Sequence, residues 1–203
     1  MSTSRTYIRK IRRSDEKEFV ALMQRSEALH YPWISPPTSP NLFKLYLQRL
    51  ATPDHEGFAI CRSKDSRITG VVNINNIVQG SFLSASLGYY AGIDYHGQGY
   101  MQEGLMQVIQ LATQTLGLHR LEANIQPENK RSQQLVERCG FVREGYSKDF
   151  LYINGAWRDH VRWCYIAERT TLTPQSDWLS LSSTIESPQH STATTNEGKE
   201  NDR

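Results

Sequence analysis

Two glycines one residue apart, Gly97 and Gly99, sit in the segment Asp94-Tyr95-His96-Gly97-Gln98-Gly99-Tyr100-Met101, just before a long stretch of helical periodicity. Glycines let a backbone turn sharply and bring several N–H groups to face one point beside a helix N-terminus. Such a place holds a phosphate or diphosphate without a lysine, because unpaired amides and the helix dipole both favour an anion. By itself a Gly-x-Gly also fits many ordinary tight turns. A dinucleotide fingerprint would need glycine where the chain has Gln102, and the Gly-Lys-Ser/Thr of a P-loop is absent. Further along, Glu122 and Asn124 alternate with Leu121, Ala123 and Ile125, so on a strand the two polar side chains share one face and point into a cleft. His160 and Asp159 have no third partner at readable spacing, so neither a triad nor a metal site is expected from them.

These groups need elements to hold them. Strands are predicted at Thr6–Ile11, Gly57–Arg62, Ile68–Val78 and Ser84–Ile93. Asp15 and Glu18 have capping-box spacing ahead of a helix whose apolar side is Phe19, Val20, Leu22 and Met23. The prolines of Tyr31-Pro32-Trp33-Ile34-Ser35-Pro36-Pro37 break it, and a second helix is expected over Asn41–Leu50. From Gly99 to Leu116, Met101, Leu105, Val108, Ile109, Ala112 and Leu116 recur at helical spacing. A strand at His119–Gln126, a short helix at Arg131–Cys139 closed by Gly140, and a hairpin of Phe150–Ile153 with Arg158–Ala167 about Asn154-Gly155 complete the pattern. The reading is one α/β (α+β) domain over residues 1–169. Of the 33 residues from 171 onward 12 are Ser or Thr, so residues 170–203 are expected to be a disordered tail.

Composition narrows the function classes. In 203 residues, 23 basic side chains face 21 acidic ones, which argues against direct nucleic-acid binding. No apolar run reaches the length of a membrane span, and the basic N-terminus lacks the apolar core of a secretory signal. Cys61, Cys139 and Cys164 are widely spaced and suggest packing residues in a reducing, cytoplasmic compartment, with no metal site.

The stretch GYYAGIDYHGQGYMQEGL resembles the acetyl-CoA motif of GNAT acetyltransferases, and LHRLEANIQPENKRSQQLVERCGFVREGYSKDF is similar to the motif that follows it in that family. GVVNINNIVQGSF and YINGAWRDH resemble the RimJ-like, ribosomal-protein-alanine N-acetyltransferase subgroup. The resemblance covers residues 6–168 and implies a GNAT fold: a central mixed, mostly antiparallel sheet with a splayed strand pair and about four helices. It implies acetyl-CoA as cofactor, with no metal. Pantetheine would run along Ala91, Gly92 and Ile93, and the diphosphate would meet the amides of His96, Gly97, Gln98, Gly99, Tyr100 and Met101. Asn129 and Ser132 match positions near the thioester. His96 and Met101 depart from the family pattern, and Val136 stands where many relatives carry a tyrosine acid. That role would pass to Ser132, unless Ser132 merely caps its helix. Glu122 would act as base through a water, beside Asn124 where some relatives place a glutamate, unless a neighbouring arginine holds it. Tyr31, Trp33 and Tyr152 would shape the acceptor groove.

The implied acceptor is a protein N-terminus, a ribosomal protein among the candidates. A small amine, or a silent CoA-binding module, are the alternatives; a monomer and a homodimer are both compatible. An α-amine titrates near 7.7–8.0 and a lysine near 10.4, so freeing lysine at neutral pH costs roughly 3.5 kcal/mol more. A site without an evident strong base therefore suits an α-amine.

Overall fold

A computed structural model describes residues 4–168, and the tail expected from 170 lies outside them. Seven strands, β1 (Thr6–Lys10), β2 (Glu56–Arg62), β3 (Ile68–Val78), β4 (Ser84–Ala91), β5 (Arg120–Ile125), β6 (Val142–Ile153) and β7 (Ala156–Ile166), form one sheet. Their order is β1-β2-β3-β4-β5-β7-β6. Every pairing is antiparallel except β4 with β5, which needs a crossover; the helix α4 (Tyr100–Gln114) supplies it.

Helices cover both faces, which is why β2 reads as a near-continuous apolar run. Phe58 and Ile60 join Val72, Ile74, Leu121 and Ala123 beneath α4 and α5 (Lys130–Arg138). Ala59, Cys61 and Val71 face the other way, against α1 (Glu16–Arg25) and α3 (Pro40–Leu50). On α4, Leu105 and Val108 are fully buried, each burial stabilising by roughly 1.5–3 kcal/mol. That holds the helix and its N-terminus in place.

The sequence reading differs from the structure at three places. A one-turn helix, α2 (Glu27–His30), makes five helices instead of about four. Asp15 and Glu18 form no capping box together: Asp15 accepts the Arg12 N–H at 2.7 Å, and Glu18 accepts the Ile68 N–H at 2.9 Å. The last hairpin starts at Val142 instead of Phe150, and its turn places Asn154 at φ 51° and Gly155 at φ 80°, the pair of positive angles that a two-residue hairpin loop requires.

Candidate active site

Past Ser86 and Glu122 the central strands separate. Parallel pairing joins only Ser84–Ser86 to Arg120–Glu122, while β4 stays with β3 out to Ala91 and β5 with β7 out to Ile125. The Gly92 N–H donates to the Thr69 carbonyl at 2.9 Å. By the alternation of an antiparallel ladder, Ala91 opposite Gly70 and Tyr89 opposite Val72 are then the pairs without mutual bonds. The main-chain groups of Tyr89 and Ala91 therefore face the gap. The edge expected at Ala91–Ile93 moves back by two residues, because the Gly92 amide is taken by Thr69 and the Ile93 amide by Ser26 Oγ at 2.9 Å.

Beyond β4 the chain makes a 3₁₀ turn over Ile93–Tyr95 and passes Gly97 and Gly99 at φ 75° and 86°. These angles are strained for any side chain bearing a Cβ. His96 and Gln98 turn their amides back onto the carbonyls of Ile93 and Tyr95, at 3.2 and 3.4 Å, so they are not free for an anion. Among the described residues, no acceptor meets the N–H groups of Gly97, Gly99, Tyr100 or Met101; the first bond of α4 is from the Glu103 N–H to the Gly99 carbonyl at 3.1 Å. The amides left open to an anion are thus fewer than the expected run His96–Met101. Arg5 braces this turn, stacking 4.9 Å from the centre of the Tyr100 ring, donating to the Gln98 carbonyl at 3.1 Å and pairing with Glu103. Met101 packs inward, so close to Gly70 that a Cβ there would come within 2.2 Å of its sulfur.

On the α4–α5 side of the gap, Asn129 caps α5, its Oδ1 accepting the Ser132 N–H at 3.1 Å. Ser132 is therefore not the cap, and its Oγ is hydrogen-bonded to Tyr89 Oη. Burial pushes the Tyr89 phenol well above its ordinary value, with Ser132 opposing in part. Val136 is 0% exposed in the core and offers the gap nothing.

On the opposite face, a cleft of about 580 Å³ has Ser86, Glu122 and Asn124 among its lining, with Arg49, Phe82 and Leu151 around them. Both oxygens of Glu122 are engaged: Oε1 accepts from Arg120 Nε at 2.9 Å and Oε2 from Arg162 Nη2 at 2.6 Å. Asn124 Oδ1, by contrast, is buried without a partner among the described residues, a costly state for a polar atom unless a ligand completes it.

Tyr31, Trp33 and Tyr152 do not line this cleft. The 31–35 loop instead bridges the mouth of the splayed strands. His30 Nε2 lies 2.8 Å from the Ala91 carbonyl, Gln126 Nε2 donates to the Trp33 carbonyl at 3.1 Å, and Asn154 Nδ2 donates to the Pro32 carbonyl at 2.8 Å. Tyr152 packs edge-on against Trp157, ring centres 5.7 Å apart. His160 contacts the Arg158 carbonyl at 2.9 Å, a structural role. The sequence reading did not single out His30, Tyr89 or Gln126, and marked Asn154 only as a turn residue. Only Tyr89 left a signal, a polar-tipped side chain on the face that Ala85 and Leu87 make apolar.

A splayed parallel pair beside unpaired helix-start amides is an arrangement that comparison can test. Residues 5–142 match the model of the acetyltransferase (GNAT) domain family. The chain belongs to that family. Among curated proteins, this GNAT domain is 45% identical over 104 residues to the Escherichia coli (strain K12) ribosomal protein uS5-alanine N-acetyltransferase, a match covering 51% of this chain and 54% of the relative. The chain thus spans about half the length of that relative. Among solved structures it resembles ribosomal-protein-S5-alanine acetyltransferase from Vibrio fischeri, with TM-score 0.71 and 28% identity over 82% of this chain and 95% of the other. It also resembles Mycobacterium smegmatis RimJ in complex with CoA-disulfide, with TM-score 0.74, 25% identity and 88% of each chain covered. Among the described residues no helix is long and apolar enough to cross a membrane.

Proposed function

We propose that this protein transfers an acetyl group from acetyl-CoA to the N-terminal α-amine of a protein, a ribosomal protein being the acceptor that the relatives suggest. The observation that carries the reading is the open β4–β5 edge running into the unpaired amides of Gly97, Gly99, Tyr100 and Met101. Bound acetyl-CoA supplies an activated acyl group. The helix-start amides would hold its diphosphate by charge and dipole, and the main chain of Tyr89 with the N–H of Ala91 would align its pantetheine arm. Ser132, hydrogen-bonded to Tyr89 beside the gap, would donate its hydroxyl to the departing sulfur.

On the acceptor side, Asn124 Oδ1 accepts from the incoming amine and fixes its approach. With Glu122 tied up by two guanidinium groups, no strong base is at hand, which favours an amine already partly neutral at physiological pH. The charges lining the cleft are those of Arg49, Arg120 and Glu122, a poor match for a polycationic amine. A cytoplasmic location goes with this reading.

Mass spectrometry of peptides offering only a free α-amine or only a free ε-amine tests it. We expect acetylation at the α-amine, with the first residue of the peptide setting the rate. Preference for the ε-amine, or acetyl-CoA binding without turnover of any acceptor, refutes it.

A further inference from the structure

Tyr89 crosses the gap. It stands on β4 beyond the last residue that pairs with β5, and its hydroxyl reaches Ser132 on the helix that follows β5. Its ring packs against the core beneath α4 and α5. We propose that Tyr89 is a positioning residue for acyl transfer: its phenol O–H donates to Ser132 Oγ and so turns the serine O–H outward, toward the sulfur that leaves. This rests on the acetyltransferase reading and adds to it a residue and a direction for the proton.

Three observations give the bond that direction. Among the described residues the other acceptor within reach of Tyr89 Oη is the Ser132 carbonyl, at 3.5 Å, the far limit of a hydrogen bond. Burial holds the phenol neutral, so it remains a donor throughout the working pH range. The Ser132 N–H already serves Asn129, so the hydroxyl is the serine's one adjustable group.

In the reaction the acceptor nitrogen gains the acetyl carbon and sheds one proton to water. The sulfur loses that carbon, keeps the electron pair of the broken bond and ends with one proton. As charge grows on sulfur, the Ser132 O–H donates to it; the proton that reaches sulfur is replaced on the serine from water, while Tyr89 keeps its own. Tyr89 thus sets geometry and undergoes no net change.

The test uses the full chain, acetyl-CoA and a peptide with a free N-terminal alanine. Tyr89→Phe keeps the ring and removes one oxygen; we expect kcat to fall about 10- to 100-fold, with the calorimetric Kd for acetyl-CoA and the KM for peptide changed less than about twofold. Ser132→Ala should fall at least as far, Ser132→Thr should retain most of the activity, and the Tyr89→Phe/Ser132→Ala double variant should be no slower than Ser132→Ala alone, because the two hydroxyls act as a unit. If the wild type turns over and Tyr89→Phe keeps its kcat, or the two losses multiply in the double variant, the proposal is overturned while the acetyltransferase reading stands. A wild type that binds acetyl-CoA and acetylates nothing removes both.

Discussion

The two sides of the β4–β5 gap are built from different materials. On the side proposed for the cofactor, the candidate groups are main-chain ones, at Tyr89 and in the amides of Ala91, Gly97 and Gly99, whose positions follow from strand pairing and helix geometry. On the side proposed for the acceptor they are side chains, Asn124 and the arginine-held Glu122, whose states depend on residues far away in sequence. A main-chain site tolerates changes of side chain and is sensitive to changes of backbone; a side-chain site behaves the opposite way.

The sharpest way to break that contrast is Gly99→Val. At φ 86° a β-branched residue costs about 1–3 kcal/mol in backbone strain and rotates the amides that open α4. We expect acetyl-CoA affinity to fall about 100-fold, close to 2.7 kcal/mol, by calorimetry. A Kd within threefold of wild type would mean that the diphosphate is held elsewhere. Asn124→Ala should act on the other side alone. It should lower kcat/KM for peptide about tenfold, near 1.4 kcal/mol, and leave acetyl-CoA affinity unchanged. A matching loss of cofactor affinity would erase the distinction between the two sides.

The smallest effect concerns His30, which reaches the cofactor edge from the α1–α3 layer. Burial holds its pKa below the ordinary 6.5, so below that pH the unfolded chain binds a proton that the folded chain does not. Stability is therefore present above about 6.5 and declines as pH falls toward the depressed folded value. His160 is displaced in the same direction by its burial. His30→Gln should flatten part of the fall in Tm between pH 7 and pH 5, by a few degrees. An unchanged slope would assign the decline to other groups.

The same division explains what could be read in the sequence. The glycine turn, the long α4 and the crossover between two strands are local patterns, and local patterns are written in consecutive residues. Gly92 and Ile93 could not be judged that way, because their amides are claimed by Thr69 and Ser26, more than 20 residues upstream. That an arginine could hold Glu122 was legible in its neighbour Arg120; that Arg162, 40 positions on, takes the second oxygen was not. The first part of β6 escaped notice because Val142–Asp149 is an edge segment, mostly exposed, with no apolar alternation to mark it.

Apart from Ser35, whose Oγ donates to Asn154 Oδ1 at 2.7 Å, the loop of residues 31–35 is anchored through what it shares with any sequence: Pro32 and Trp33 contribute their carbonyls, and the reaching side chains come from Asn154 and Gln126. Tyr31, 69% exposed, makes no hydrogen bond through its side chain among the described residues. Selection can therefore rewrite most of the side chains at the rim of this site, and with them the choice of acceptor under the proposed reading, while the strands beneath stay where they are.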